Sequence, residues 1–249
     1  MPSLDELRAE IDTIDRQLHD LLVRRVAIGR EMARAKSSDP APPYRPAREA
    51  QVMRRLLQRN RPPLATGVLD TVWRAIMSAN LNQQEPITAL LYAPDPGTRD
   101  LARDYCAGAT RIDVVETAAA ALDPDARATM RILPMITGDV PDRWWPLLFA
   151  GPAPAPSLQV VARLPFFEPE APGCEALVVA AQPPEASGDD RTLFAIAGSP
   201  PHDGELLDSW NDACAWHVVQ FDGFHDQPPA IPRSAPWHRL GVYATPVRN

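Results

Sequence analysis

A set of polar side chains interrupts or flanks the apolar stripes in the first third of the chain: Arg8, Arg25, Lys36, Arg48, Glu49, Asn80 and Gln84. Lys36 stands out by type. The chain spells 24 of its 25 basic residues as arginine, so a retained lysine suits a site that wants a compact point charge with three donors rather than a planar fork. Arg25 stands out by position. Its seam predicts an apolar residue there, and a charge on such a stripe is expensive unless it is paired. Taken singly, each of these residues reads equally well as a structural ion pair, a frayed helix end or a solvated charge. Taken together they put polar groups, mostly cations, on inward-facing positions, and the chemistry of such a set is the binding of a small anionic molecule.

The spacing then constrains the elements that must carry them. Ser3-x-x-Glu6 is a capping box, in which each side chain satisfies a backbone donor of the first turn. Leu4, Leu7, Ile11, Ile14, Leu18 and Leu21, then Ile28 and Met32, follow as a coiled-coil-like seam on a helix running toward residue 37, about 50 Å long. The stretch from Ser37 to Pro43 breaks it. A second helix opens near Pro46, a favourable first-turn residue, runs through Val52, Met53, Leu56 and Leu57, and stops at Arg61-Pro62-Pro63. A third runs from about Leu64 through Leu69, Val72 and Ile76 to Gln84, with Pro86 ending it. Lys36 lies three turns beyond Arg25 on nearly the same face, roughly 16 Å away, whereas Arg8 lies about 25 Å from Arg25 in the other direction. No small metabolite touches both ends of that span within one helix. If Arg8 and Arg25 serve one ligand, Arg8 comes from an antiparallel partner chain. Three helices cannot bury such a seam alone, so a dimer is implied.

Composition sets the bounds. The 249 residues suit one large domain or two modest ones, and 45% apolar content can fill a core. Residues 1–86 hold 14 Lys/Arg against 11 Asp/Glu, and residues 87–249 hold 11 against 21, so a weakly positive helical part precedes a strongly acidic one. The cations of the first part are too interleaved with acids to suggest nucleic acid. No apolar run of 18 or more exists and the N-terminus carries acids where a signal peptide needs cations, so a cytoplasmic protein without a membrane span is expected. Cys106, Cys174 and Cys214 are odd in number and far apart, and His19, His202, His217, His225 and His238 form no motif, so neither disulfides nor a metal site are expected. Only 12 glycines and no Gly-rich phosphate loop leave a nucleotide role unsupported.

Residues 4–84 resemble the all-helical chorismate mutases of the AroQ type, often fused to prephenate dehydratase or dehydrogenase. The segments that carry the resemblance are 7–18, Leu-Leu-Val-Arg-Arg at 21–25, Ala-Arg-Ala-Lys at 33–36, Arg-Pro-Ala-Arg-Glu at 45–49 and Ile-Met-Ser-Ala-Asn-Leu-Asn-Gln-Gln at 76–84. The resemblance implies an intertwined dimer of three-helix chains and the cofactor-free Claisen rearrangement of chorismate to prephenate. It implies that Arg8 of the partner chain and Arg25 hold the two carboxylates, that Lys36 and Gln84 donate to the ether oxygen, and that Glu49 accepts the ring hydroxyl. Arg48 supports the site, and Asn80 falls where the family has a small polar residue near a carboxylate. Arg45 stands where the enteric fusion enzymes have an acid, either as a cation at the site mouth or facing water. Isochorismate–pyruvate lyase shares this fold and much of this site, and a non-catalytic chorismate-binding regulatory dimer is a further alternative.

Residues 87–249 carry 21 of the 29 prolines and short apolar runs at Ile87–Tyr92, Leu158–Val161 and Ala176–Ala181, the pattern of an α/β domain. They faintly resemble the periplasmic-binding-like prephenate dehydratase region of the fused enzymes. Pro94–Thr98 reads as a turn into a helix. Met135-Ile136-Thr137 stand where the family has Glu-Asn-Ser, Thr192 persists from the Thr-Arg-Phe motif but Leu193 replaces its arginine, and Leu240-Gly241-Val242-Tyr243 is similar to the end of the regulatory domain. The expectation is a degenerate domain without dehydratase activity, open to a regulatory ligand or a partner enzyme.

Overall fold

The capping box closes as the sequence predicts: Ser3 N donates to Glu6 Oε2 at 2.6 Å and Glu6 N to Ser3 Oγ at 3.2 Å. These bonds hold the Glu6 carboxyl below its ordinary value. Helix α1 (Leu4–Ala35) follows, then α2 (Pro46–Arg59) with Pro46 in its first turn, and α3 (Thr66–Asn82). In this computed structural model the residues described are 1–35, 42–138, 142–149, 157–168, 173–211, 214–229, 231 and 235–248. Two expectations shift. Helix α3 begins at Thr66 rather than Leu64 because Ala65 is extended, and it ends at Asn82. Gln84 therefore sits in the turn after the helix, its N–H donating to Leu81 O at 2.9 Å.

The seam of α1 is not buried within one chain. Leu4, Leu7, Ile11, Ile14, Leu18, Leu21, Ile28 and Met32 are all exposed. Helix α1 meets the rest of the chain near its C-terminal third. There Gly29 is buried against Asn80 of α3, and the Arg30 guanidinium donates to Gln83 Oε1. Among the described residues no helix is long and apolar enough to cross a membrane.

The remainder is a mixed α/β sheet. Strand β1 (Thr88–Tyr92), helix α4 (Pro96–Cys106) and strand β2 (Arg111–Val115) form the expected βα unit, with Asp95 capping α4 through Thr98 N at 2.8 Å. Short helix α5 (Ala118–Ala121), strand β3 (Met130–Pro134), β4 (Gln159–Leu164), β5 (Phe167–Glu168) and β6 (Ala176–Ala180) follow. Then come β7 (Asp190–Ala197), β8 (Glu205–Asn211), β9 (Ala215–Asp222), β10 (Trp237–Ala244) and β11 (Val247–Arg248). The described residues form a nine-stranded sheet ordered β2-β1-β3-β6-β4-β10-β7-β9-β8, with β5 and β11 paired separately. Strands β2, β1 and β3 are parallel, whereas β6 runs antiparallel to β3 and β4. Strands β3 and β6 are buried at every position, as central strands covered on both faces must be. Gly241 (φ +149°) lets β10 approach β4: a Cβ there would stand 2.1 Å from the Val160 carbonyl oxygen.

The two faces of the sheet are covered differently. One face packs Leu133, Leu177 and Val179 against Trp144 and Trp145. The other packs Leu91, Ile132 and Val178 against Ala102 and Cys106 of α4, and against Tyr44 and Leu81 of the helical part. A third cluster joins Ala50, Met53 and Met77 to Phe166 and Phe167. Arg54 of α2 extends the junction by donating to the Asp189 carbonyl at 2.7 Å and the Thr245 carbonyl at 3.0 Å. Helices α2 and α3 are thus packed on the sheet by shared core.

Candidate functional site

Five of the seven sequence-selected residues meet at one place. A half-open pocket of about 270 Å³ is lined by Arg25 and Gly29 of α1, Arg48 and Glu49 of α2, Asn80 of α3, and Gln84 just beyond it. Each reaches the pocket for a local reason. Pro46 starts α2 so that Arg48 and Glu49 fall in its first turn. Gly29 lacks a Cβ where one would lie 2.1 Å from Asn80 Oδ1, so α1 and α3 can close with the amide between them.

The electrostatics favour an anion. Arg25 is half-buried, its Nη1 has no hydrogen-bond partner among the described residues, and burial pulls its pKa down. A desolvated guanidinium nitrogen without a partner is costly, and a ligand carboxylate in the pocket would remove that cost. Asn80 Oδ1 is likewise buried and unpartnered among the described residues. Arg48 is exposed at the rim and donates to Gln51 Oε1 at 3.2 Å. Arg45 lines the pocket mouth and pairs with Glu185 at 3.1 Å, so its charge is shared with the α/β part rather than left to water. The volume lies slightly below the roughly 300–1,000 Å³ of ordinary ligand pockets.

Glu49 is the one carboxylate of the lining among the described residues. Burial raises its pKa, while the Arg74 guanidinium and the Tyr105 hydroxyl act in the opposite direction. Arg74 Nη1 lies 3.4 Å from Glu49 Oε2, and Tyr105 Oη lies 3.5 Å from the same oxygen. Neither Arg74 nor Tyr105 is legible as a site residue in the sequence. Arg74 looks like one more polar position of α3, and Tyr105 belongs to a helix beyond the expected domain boundary. Only the docking of α4 on α3 brings them together.

One selected residue, Arg8, is not brought to the pocket by its own chain. Arg8 is exposed on the free end of α1 and pairs with Asp5 at 3.3 Å, about 25 Å along the axis from Arg25. Lys36 lies outside the described residues. In the second half, several residues at dehydratase-like motif positions have structural partners, whereas Thr137 is exposed. Thr192 Oγ1 donates to the Gly223 carbonyl at 2.7 Å and accepts from His225 N at 3.0 Å, and Leu193, Met135 and Ile136 are buried in the sheet core.

Residues 7–85 match the family model of chorismate mutase type II. Among curated proteins, the bifunctional chorismate mutase/prephenate dehydratase of Stutzerimonas stutzeri is 32% identical over 97 residues, 37% of this chain and 27% of that protein. The protein of the same description from Pseudomonas aeruginosa is 33% identical over 97 residues, with the same coverage. The match therefore spans about a quarter of the length of these relatives. Two solved structures align with roughly two thirds of the chain. A prephenate dehydratase from Streptococcus mutans does so with a TM-score of 0.44 at 11% identity, covering 66% of this chain and all of that one. A structure described as GqqA, a novel type of quorum quenching acylase, does so with a TM-score of 0.43 at 19% identity, covering 65% and 96%.

Proposed function

We propose that the protein is a chorismate mutase that works as a homodimer. The observation that carries this reading is the convergence of Arg25, Arg48, Glu49, Asn80 and Gln84 on one pocket, within a segment that matches the type II family. The rearrangement breaks one C–O bond as one C–C bond forms. It needs no nucleophile, only a held conformer and stabilisation of charge on the ether oxygen. Arg25 and the partner subunit's Arg8 grip the two carboxylates, for which guanidinium forks are suited. Lys36 and Gln84 donate to the ether oxygen, Glu49 accepts the ring hydroxyl, Arg48 supports the rim, and Asn80 sits beside a carboxylate. The exposed seam of α1 supports the dimer: eight apolar side chains along one helix lack cover in a single chain, and a second antiparallel α1 would cover them while delivering Arg8.

The α/β part is proposed to have no dehydratase activity. The test is to mix the purified protein with chorismate, follow its absorbance, and assay phenylpyruvate with and without acid treatment. Loss of chorismate that needs acid to yield phenylpyruvate is the expected result. Phenylpyruvate without acid would restore a dehydratase to the second half. No turnover of chorismate, with pyruvate and salicylate formed from isochorismate, would replace the mutase with a lyase.

A further inference from the structure

We infer that Arg74 and Tyr105 are positioning residues for Glu49, so that the α/β part supplies one wall of the candidate mutase site; this rests on the mutase reading above. Arg74 is nearly buried and is fixed from several sides. Its Nη1 lies 3.4 Å from Glu49 Oε2 and its Nε 3.3 Å from Asp70 Oδ1. The Tyr105 ring stacks on it with the guanidinium carbon 4.9 Å from the ring centroid, and the Phe166 ring lies at 6.0 Å, within the usual range of cation–π attraction. An arginine held between two carboxylates and two rings cannot swing to water, so its charge stays at Glu49.

Tyr105 continues the arrangement from α4. Its hydroxyl is 2.7 Å from the Tyr44 hydroxyl and 3.5 Å from Glu49 Oε2. With Tyr105 donating to Glu49, Tyr44 donates to Tyr105, a short chain ending on the carboxylate. Both contacts to Glu49 are longer than an ordinary hydrogen bond. Among the described residues, Arg25 of α1 and Arg45 and Arg48 near the start of α2 share the pocket lining with Glu49. Arg163 of β4 lines a neighbouring cavity together with Glu49, and Asp70 pairs with Arg74. Burial drives Glu49 toward its neutral form, and Arg74 and Tyr105 are the groups that oppose it. A neutral Glu49 loses the acceptor strength that the ring hydroxyl requires. Helices α4 and α3 therefore bear on one oxygen of α2.

The test is a titration of the Glu49 carboxyl in the full chain, by carboxyl-¹³C NMR with the signal assigned from Glu49→Gln, beside the pH dependence of kcat/KM on chorismate. Tyr105→Phe removes one oxygen and keeps the ring on Arg74. Arg74→Gln removes the charge, and Arg74→Lys returns it without the fork. Both Tyr105→Phe and Arg74→Gln are expected to move the Glu49 titration to higher pH, Arg74→Gln further, with Arg74→Lys partway back. The acid limb of kcat/KM should move with it. At neutral pH kcat/KM should fall about tenfold in Tyr105→Phe and about a hundredfold in Arg74→Gln, the scale of lost hydrogen bonds to a charged group. A Glu49 titration unmoved by Tyr105→Phe overturns the inference even if Arg74→Gln fails to fold. A titration that moves while the acid limb stays also overturns it. If the parent does not turn over chorismate, the mutase reading fails by itself, and the NMR titration still decides whether Arg74 and Tyr105 govern Glu49.

Discussion

Gly29 is where the smallest side chain sets the geometry of the site. A methyl there would meet Cγ, Oδ1 and Nδ2 of the Asn80 amide, at 2.1 to 2.7 Å, and a short amide side chain can only rotate away. Alanine also favours the helix by up to about 1 kcal/mol over glycine, which opposes the clash. Gly29→Ala is therefore expected to melt within a few degrees of the parent yet lose about tenfold in kcat/KM, because Asn80 leaves the pocket. Adding Gly29→Ala to Asn80→Ala should then cost little more, since both remove one group; a fully additive double variant would show that the clash is not the cause. Lys36 makes a second case at this scale. If it donates localised charge to the ether oxygen, Lys36→Arg and Lys36→Ala each lose about a hundredfold to a thousandfold in kcat or more, like a lost oxyanion donor. Activity within tenfold of the parent would remove that role. The pH dependence follows from Glu49. Its pKa is raised by burial; if Glu49 accepts the ring hydroxyl as a carboxylate, activity is flat near neutrality and declines on acidification from a higher pH than an ordinary glutamate would give. Glu49→Gln should abolish that limb.

At the scale of elements, what was legible in the sequence was what local rules determine. Ser3 and Glu6 mark the start of α1, Pro46 the start of α2, and Asp95 with Pro96 the start of α4, because a cap or a first-turn proline acts on its own turn. Arg25, Glu49, Asn80 and Gln84 could be selected because polar residues at inward positions of a helical stripe contradict the pattern around them. Arg74 and Tyr105 could not be selected in the same way. Their partners lie 25 and 56 residues away in the chain, and nothing in the periodicity of α3 or α4 says which helix face meets which. The exposed seam of α1 is legible in both sequence and structure, and it makes a prediction. Leu18→Glu puts a charge in the middle of the row, far from the pocket of its own chain. If a second copy covers the row, the variant becomes monomeric by light scattering and loses most activity, because the partner subunit's Arg8 is no longer delivered. A variant that stays dimeric and active would place the dimer contact elsewhere.

At the scale of the whole molecule, the helical and α/β parts share a core. Tyr44, Met53, Met77 and Leu81 are each less than 10% exposed, and their cover includes Phe166, Phe167, Ile132 and Val178 of the sheet side. Exposing a side chain of this size costs roughly 1.5–3 kcal/mol, so uncovering four at once is comparable with the whole stability of an ordinary domain, about 5–15 kcal/mol. Arg54 would lose its acceptors at Asp189 and Thr245 as well, and Glu49 would lose Tyr105. Residues 1–86 expressed alone are therefore expected to melt well below the full chain, or without a cooperative transition. They should also turn over chorismate at least tenfold more slowly, with the same dimer seam present. Circular dichroism melts and chorismate kinetics on the two chains decide it. A fragment as stable and as active as the full chain would mean that the helices repack without the sheet and that the shared core serves the α/β part alone. The intermediate outcome, a stable fragment with a displaced acid limb, would separate packing from electrostatics: the apolar junction would be dispensable, and the hydroxyl of Tyr105 would be what the second half contributes.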